Sequence, residues 1–234
     1  MAPPTPFDAA HAARYDDQFR PLAPLRDALH LVTQLALNEA PERARVLCVG
    51  AGTGAEVLQL APVFPGWRFV AVDTSGPMLE RCRARLAEAG LESRCVLHEG
   101  TVDTLPAELG PFDAATAVLV SQFLVDPGER RRFFQRIAER LRPGAPLLFA
   151  DLAADSLDGE LMALWQRAWR HAGASAEAVE NMAASVGRSV AIVAPREVEA
   201  LVAAGGFDEP VRVFQTVFIH GWLARRTASG LAAS

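Results

Sequence analysis

Between Arg45 and Ala61 a short apolar run, Arg45 to Val49, passes into Gly50-Ala51-Gly52-Thr53-Gly54 and then into a helical pattern that stops before Pro62. A strand handed to a helix through such a turn leaves few architectures open. Glycine enters the left-handed backbone region without a Cβ penalty and lets a ligand approach the main chain. The same order then recurs. Arg68 to Val72 reads as a second strand closed by Asp73, and Ser75 caps a helix with Pro77 in its first turn and Gly90 beyond its end. Arg94 to His98 is a third strand, Ala114 to Val120 a fourth, and Pro146 to Leu152 a fifth, with a helix from Gly128 to Leu141 between the last two.

Alternation of this length predicts a parallel sheet with right-handed crossovers. The pattern breaks after a helix at Pro195 to Ala204. Val211 to Phe214 and Val217 to Leu223 lie too close for a helix between them and are expected to pair antiparallel. The predicted fold is α/β: a single Rossmann-like doubly wound domain of five parallel strands, completed to seven by a C-terminal antiparallel hairpin. An insertion at 153–194, read as two helices, is expected as a cap above the carboxyl ends of the strands, where open α/β sheets bind ligands. Residues 21–40 read as one or two short helices, residues 1–40 as an N-terminal helical lid segment, and residues 227–234 as a disordered tail.

Composition narrows the function. The chain has 234 residues, enough for one α/β core, and a net charge of −5, which argues against affinity built on phosphate neutralisation. Every basic residue other than histidine is arginine, so lysine Schiff bases and a P-loop lysine are excluded. The run Arg130-Arg131-Arg132 reads as a solvated helix face. No apolar stretch approaches the roughly 18 residues that cross a bilayer. Met1 to Phe7 lacks the basic start and apolar core of a secretory signal. Cys48, Cys82 and Cys95 stand at no metal or redox spacing, so a reducing cytoplasm and no metal site are expected.

Gly50, Gly52 and Gly54 followed by Ala55 also satisfy a dinucleotide fingerprint, and a carboxylate at Asp73 accepts hydrogen bonds from a ribose diol in either cofactor class. An NAD-dependent oxidoreductase therefore stays open at this point. It is weakened by the absence of lysine and the presence of one tyrosine.

The segments VLCVGAGTG, VAVDTSGPMLERCRARL, EGTVDTLP, SQFLVDPGERRRFFQRIAERLRPGAPLLFADL and FQTVFIHGWLAR resemble, in order and spacing, the class I S-adenosylmethionine-dependent methyltransferases. Asp73-Thr74-Ser75 with Met78 to Cys82, Ser121 to Leu124, and Phe214-Gln215 look most like the carboxy-S-adenosylmethionine synthases of tRNA wobble-uridine modification. The resemblance covers roughly 40–152 and 195–225. It implies a methyltransferase domain over 41–226 and S-adenosyl-L-methionine as cofactor. Gly50, Ala51, Gly52 and Gly54 would form the loop against its methionine moiety, with Asp73 on the ribose and Thr74 and Met78 beside the adenosine. Thr101 and Val102 would lie along the adenine edge, with Val118 and Ser121 at the sulfonium end. Related enzymes are often dimers, so a homodimer stays open.

The sequence departs from the family in places. Cys48 replaces an acidic residue that helps organise the methionine ammonium. Thr101 stands where an aspartate usually meets the adenine amino group. The arginine that anchors the extra carboxylate in the synthases falls at Leu201, and an asparagine of theirs at Val118. A carboxylate buried against Leu201 lacks an ionic partner. Ordinary S-adenosylmethionine is thus favoured.

Methyl transfer from a sulfonium is an in-line displacement in which the protein mainly positions the acceptor, with a base needed only if the acceptor must lose a proton. Asp151, Gln122 and His171 are the catalytic candidates. Tyr15 and Phe19, and Trp165 and Trp169, are candidates for a lid or an acceptor pocket. The expected partner is a small-molecule acceptor modified at O, N or C. The rivals are a tRNA-modification enzyme related to the synthases and a nonenzymatic S-adenosylmethionine-binding protein.

Overall fold

The computed structural model describes residues 8–228. The expectation for Met1 to Phe7, and residues 229–234 of the expected tail, fall outside them. Seven strands form one sheet: β1 (Arg45–Val49), β2 (Arg68–Asp73), β3 (Cys95–Glu99), β4 (Ala114–Val118), β5 (Pro146–Leu152), β6 (Val211–Thr216) and β7 (Ile219–Arg225). Their spatial order is β3-β2-β1-β4-β5-β7-β6. The first five run parallel, and β7 is antiparallel to both β5 and β6. Val49 is level with Val72 on one side and Ala117 on the other, so β1, β2 and β4 end together.

The helices are α1 (Ala9–Phe19), α2 (Ala23–Leu37), α3 (Ala55–Val63), α4 (Gly76–Glu88), α5 (Pro127–Arg140), α6 (Gly159–His171), α7 (Ala176–Ser185) and α8 (Pro195–Ala204). Side chains alternate across the sheet because successive residues of a strand point to opposite faces. Leu47, Val49, Val70, Val72, Leu147 and Phe149 meet Phe134, Ile137 and Val202 of α5 and α8 on one face. Val46, Cys48, Phe69, Ala71 and Leu148 meet Leu37, Leu60 and Leu86 of α2, α3 and α4 on the other. The connection from β3 to β4 uses two 3-10 turns, at Val102–Thr104 and Ala107–Leu109, rather than a helix.

Several boundaries move. β4 stops at Val118, not Val120, because Leu119 adopts φ 58° and turns the chain away from the ladder. α3 runs through Pro62, whose ring falls in the last turn, one residue from the helix end. β3 starts one residue late, after a 3-10 turn at Glu92–Arg94. The hairpin turns at Val217 and Phe218, with Val217 at φ 49°, so β6 reaches Thr216 and β7 begins at Ile219. The α2 segment is a single helix in the core layer, since Leu37 packs among Val46, Cys48 and Leu60, and α1 reaches the glycine loop through Asp16 and Thr53. Thr227, the first residue of the expected tail, donates from its amide and its hydroxyl to Gly206 O, both at 3.1 Å.

The insertion between β5 and α8 contains α6 and α7, and Trp165 packs on Phe218 at the hairpin turn with ring centroids 5.8 Å apart. Its ends meet. Ala154 N donates to Val193 O at 2.9 Å, and Ala153 bridges to Val193.

Candidate active site

Connections from β1 go to one side of the sheet and those from β4 to the other, which opens a crevice beyond their carboxyl ends. The glycine turn sits at its lip. Gly50 has φ 64°, and a Cβ there would overlap the Val120 side chain. Gly50 is therefore required twice, by backbone conformation and by space. The loop is pinned to β2, with Ala51 N donating to Val72 O at 3.0 Å and Gly52 N to Asp73 Oδ2 at 2.8 Å. The second Asp73 oxygen accepts Ser75 N at 2.9 Å. Burial raises the Asp73 carboxyl above the usual range, and the amides of Ser75, Gly52 and Thr74 oppose that rise. The carboxylate is held edge-on to the loop.

A polar knot fastens α1 across this loop. Thr53 Oγ1 donates to Asp16 Oδ1 at 2.9 Å. Arg85 Nη1 of α4 donates to Asp16 Oδ1 at 3.0 Å, Thr53 O at 3.0 Å and Thr53 Oγ1 at 2.7 Å. Asp16 thus sets the position of Tyr15 and Phe19. Burial, then the nearby Glu56, Asp16 and Asp73 carboxylates, push the Tyr15 phenol up to about 12, so it is neutral at pH 7. Phe19 lies 5.0 Å from Tyr15 and meets Trp169 edge-on at 5.6 Å; Trp169 is 6.4 Å from Trp165. An aromatic row runs from the glycine loop to the cap.

These elements enclose one cavity of about 1230 Å³. A pocket for a single drug-sized ligand is usually about 300–1,000 Å³, so this one has room for two molecules side by side. Gly50, Ala51, Gly52, Asp73, Thr74, Met78, Thr101, Val102, Val118 and Gln122 line it, together with Tyr15, Phe19, Trp165 and Trp169. The other sequence candidates lie elsewhere. Gly54 faces Cys82 of α4 and is absent from the wall; its φ of 82° serves helix–loop packing. His171, at the end of α6, is exposed and off the cavity. Leu201, on α8, is also off the wall, so it says nothing about a carboxylated cofactor.

Asp151 and Ser121 are beneath the wall rather than in it. Asp151 is 1% exposed and pairs with Arg130 Nη2 at 2.9 Å. It also accepts the Ser121 hydroxyl and, at 2.9 Å, Gln122 N. Arg130 Nε donates in turn to Ser121 Oγ at 2.8 Å. Burial pushes the Asp151 carboxyl up, while Arg130 and these hydrogen bonds hold it down. All its oxygens are engaged in joining β4, β5 and α5, so it is a structural carboxylate and not a base at the wall. Gln122 does reach the wall, but its Oε1 accepts Leu152 N at 3.1 Å and its carbonyl accepts Ala191 N at 2.7 Å. Arg130 itself is buried, contrary to the solvated face expected of the arginine run.

Two cavity residues escaped sequence reasoning. His30 of α2 is 3% exposed; burial, then Arg26, lowers it to about 4, so the ring is neutral. Its buried Nδ1 has no hydrogen-bond partner. The stripe Leu29, His30, Thr33, Leu37 at helical spacing is the signal that would have found it. Glu56, in the first turn of α3, is 8% exposed. Burial pushes its carboxyl up to about 7, assisted by Asp73 and opposed by its own amide and by Arg85. Among the described residues no group of three or more His, Cys, Asp or Glu side chains converges as a metal site would require, and no helix is long and apolar enough to cross a membrane.

Comparison with known proteins bears on this arrangement. Residues 46–144 match the family model of the methyltransferase domain. That stretch, less than half of the chain, resembles a methyltransferase domain. It is 32% identical to a malonyl-[acyl-carrier protein] O-methyltransferase of Magnetococcus marinus over 50% of this chain and 41% of that protein. It is 32% identical to a carboxy-S-adenosyl-L-methionine synthase of Aeromonas salmonicida over 51% of this chain and 48% of that one. The chain thus spans less than half the length of these curated relatives. The fold is similar to that of the S-adenosylmethionine-dependent methyltransferase SibL at a TM-score of 0.63 and 21% identity, covering 84% of this chain and 53% of that one. The residues of the site fit S-adenosylmethionine: a turn open to close approach, a ribose-competent carboxylate and a cavity large enough for a nucleoside.

Proposed function

We propose that this chain transfers the methyl group of S-adenosylmethionine to the hydroxyl oxygen of an apolar, ring-bearing small molecule. The observation that carries this reading is the continuity of the cavity. One end holds the glycine loop and Asp73, and the other is walled by Leu22, Leu25, Leu29, Trp165, Trp169 and Met182 with His30 among them. Gly50, Gly52 and Asp73 bind and orient the nucleoside. When bound, the cofactor supplies an already activated methyl carbon, which leaves the protein to align the acceptor and exclude water. The aromatic row and the cap do both. Neutral His30, with Nδ1 unpartnered, would accept the hydrogen bond of the acceptor hydroxyl and take its proton as the oxygen–methyl bond forms and the sulfur–methyl bond breaks, then pass that proton to solvent. An unpaired buried nitrogen costs on the order of 1–3 kcal/mol, which a ligand hydroxyl recovers.

The test has two parts. Native mass spectrometry of the purified protein, with gentle denaturation, identifies any nucleoside that co-purifies. A panel of naphthols, hydroxyquinolines and hydroxyflavonoids is then incubated with S-adenosylmethionine, and S-adenosylhomocysteine release is followed. Turnover that falls in His30→Ala with unchanged S-adenosylhomocysteine affinity supports the reading. Turnover only on amines or thiols refutes the oxygen assignment. The similarity to the Aeromonas synthase favours one second reading, synthesis of the carboxylated cofactor. Its mass among the co-purified nucleosides would move the function there.

A further inference from the structure

The cavity wall contains a buried carboxyl group that no cation of the protein pairs with among the described residues. Glu56 is buried in the wall, yet no salt bridge reaches it among the described residues. The nearest guanidinium that influences it, Arg85, has Nη1 committed to Asp16 and Thr53. Its other electrostatic neighbours are Asp73 on β2, Tyr15 on α1, Cys48 on β1 and Cys82 on α4. None of these is a cation. Burial keeps the Cys48 thiol protonated, so β1 contributes no charge at all. A buried carboxylate without a counter-ion is costly unless a ligand brings one. This position lies two residues past Gly54, at the end of the glycine turn, so the counter-ion belongs to the nucleoside rather than to the acceptor.

We infer that Glu56 is the anion that receives the α-ammonium of the cofactor's methionine moiety. The inference rests on the S-adenosylmethionine reading above. It also explains how the zwitterionic end is divided. The first amides of α3 and the positive end of its dipole suit the ligand carboxylate. Glu56, in that same first turn, takes the ammonium. Its own backbone amide already orients the carboxyl group. In the free protein at neutral pH the group is partly protonated; binding an ammonium draws it to the ionised form and releases the proton to solvent.

Three nucleosides test this, titrated calorimetrically at pH 8 into wild type and Glu56→Gln. S-adenosylmethionine carries ammonium and sulfonium, S-adenosylhomocysteine carries ammonium alone, and 5′-methylthioadenosine carries neither. The inference expects Glu56→Gln to weaken the first two equally, by about ten- to a hundredfold as for a lost charged hydrogen bond, and to leave methylthioadenosine unchanged. Loss confined to S-adenosylmethionine would assign Glu56 to the sulfonium and overturn the inference. Equal loss of all three would make Glu56 a structural residue and overturn it too. Because Gln is isosteric, folding is checked by thermal melting, with Glu56→Leu repeating the selectivity. Wild type that binds none of the three would overturn the cofactor reading itself, a result distinct from the other two.

Discussion

Replacing Glu56 by glutamine has a consequence for stability that needs no ligand. The carboxyl titrates near the ordinary 4.5 in the unfolded chain and about 7 in the fold. Its folded value is raised, so the native state holds the proton more tightly. The associated stability is fully present below pH 4.5 and is lost as pH rises through about 7. At about 1.4 kcal/mol per tenfold change in proton affinity, the wild type forfeits about 3 kcal/mol between pH 4.5 and pH 8 that Glu56→Gln keeps. For a chain of this length about 1 kcal/mol moves Tm by 2–4 °C. The two melting curves should therefore separate by roughly 6–12 °C more at pH 8 than at pH 4.5. Asp73, Tyr15, Arg85, Cys48 and Cys82 face Glu56 in both proteins, so their own titrations largely cancel in the difference. The assay is scanning calorimetry of both proteins, stripped of nucleoside, at intervals from pH 4.5 to 8. A Tm difference that stays constant across that range would refute the reasoning. Saturating S-adenosylhomocysteine should flatten the wild-type pH dependence, since an ammonium then supplies the missing charge.

Three further outcomes follow from the geometry. Asp73→Ala removes the acceptor for Gly52 N and strands two ribose hydroxyls, so S-adenosylhomocysteine affinity should fall at least about a hundredfold; unchanged affinity in calorimetry would displace the site from this loop. Gly50→Ala should give a folded protein that no longer binds the nucleoside, because φ 64° and the Val120 side chain both oppose a Cβ; binding equal to wild type by equilibrium dialysis would contradict it. Arg130→Met leaves Asp151 buried without its counter-ion and should destabilise by about 3–5 kcal/mol in urea denaturation. The double variant Arg130→Met with Asp151→Leu should recover most of that loss, and a failure to recover would mean that the pair does more than neutralise itself.

The frame was legible in the sequence because its signals are local. Apolar runs of strand length, the glycine turn and the Ser75 cap each act within a few residues. The apolar pattern makes β4 two residues too long because Leu119 and Val120 look like strand residues; Leu119 at φ 58° and Val120 packed against Gly50 leave the ladder. Asp73 was legible for the same local reason, as the polar residue that ends an apolar strand beside the turn. Asp151 shared that signature, yet its partner Arg130 comes from the next helix face and converts it into a structural group. Glu56 and His30 were invisible for the opposite reason. A glutamate in a first helical turn and a histidine in an amphipathic helix are ordinary, and their chemistry arises only from burial in the folded chain.

The insertion that carries α6 and α7 leaves and rejoins the sheet at one place, since Ala154 and Val193 are hydrogen-bonded neighbours and Ala191 is held by Gln122. A segment whose ends already touch imposes almost no length requirement on what lies between them, and replacements at such points are tolerated well. The corner built by Arg130, Ser121 and Asp151 belongs to the sheet and would survive an exchange. New acceptor preferences could therefore arise by grafting whole alternative segments at that junction, while the nucleoside end keeps its design.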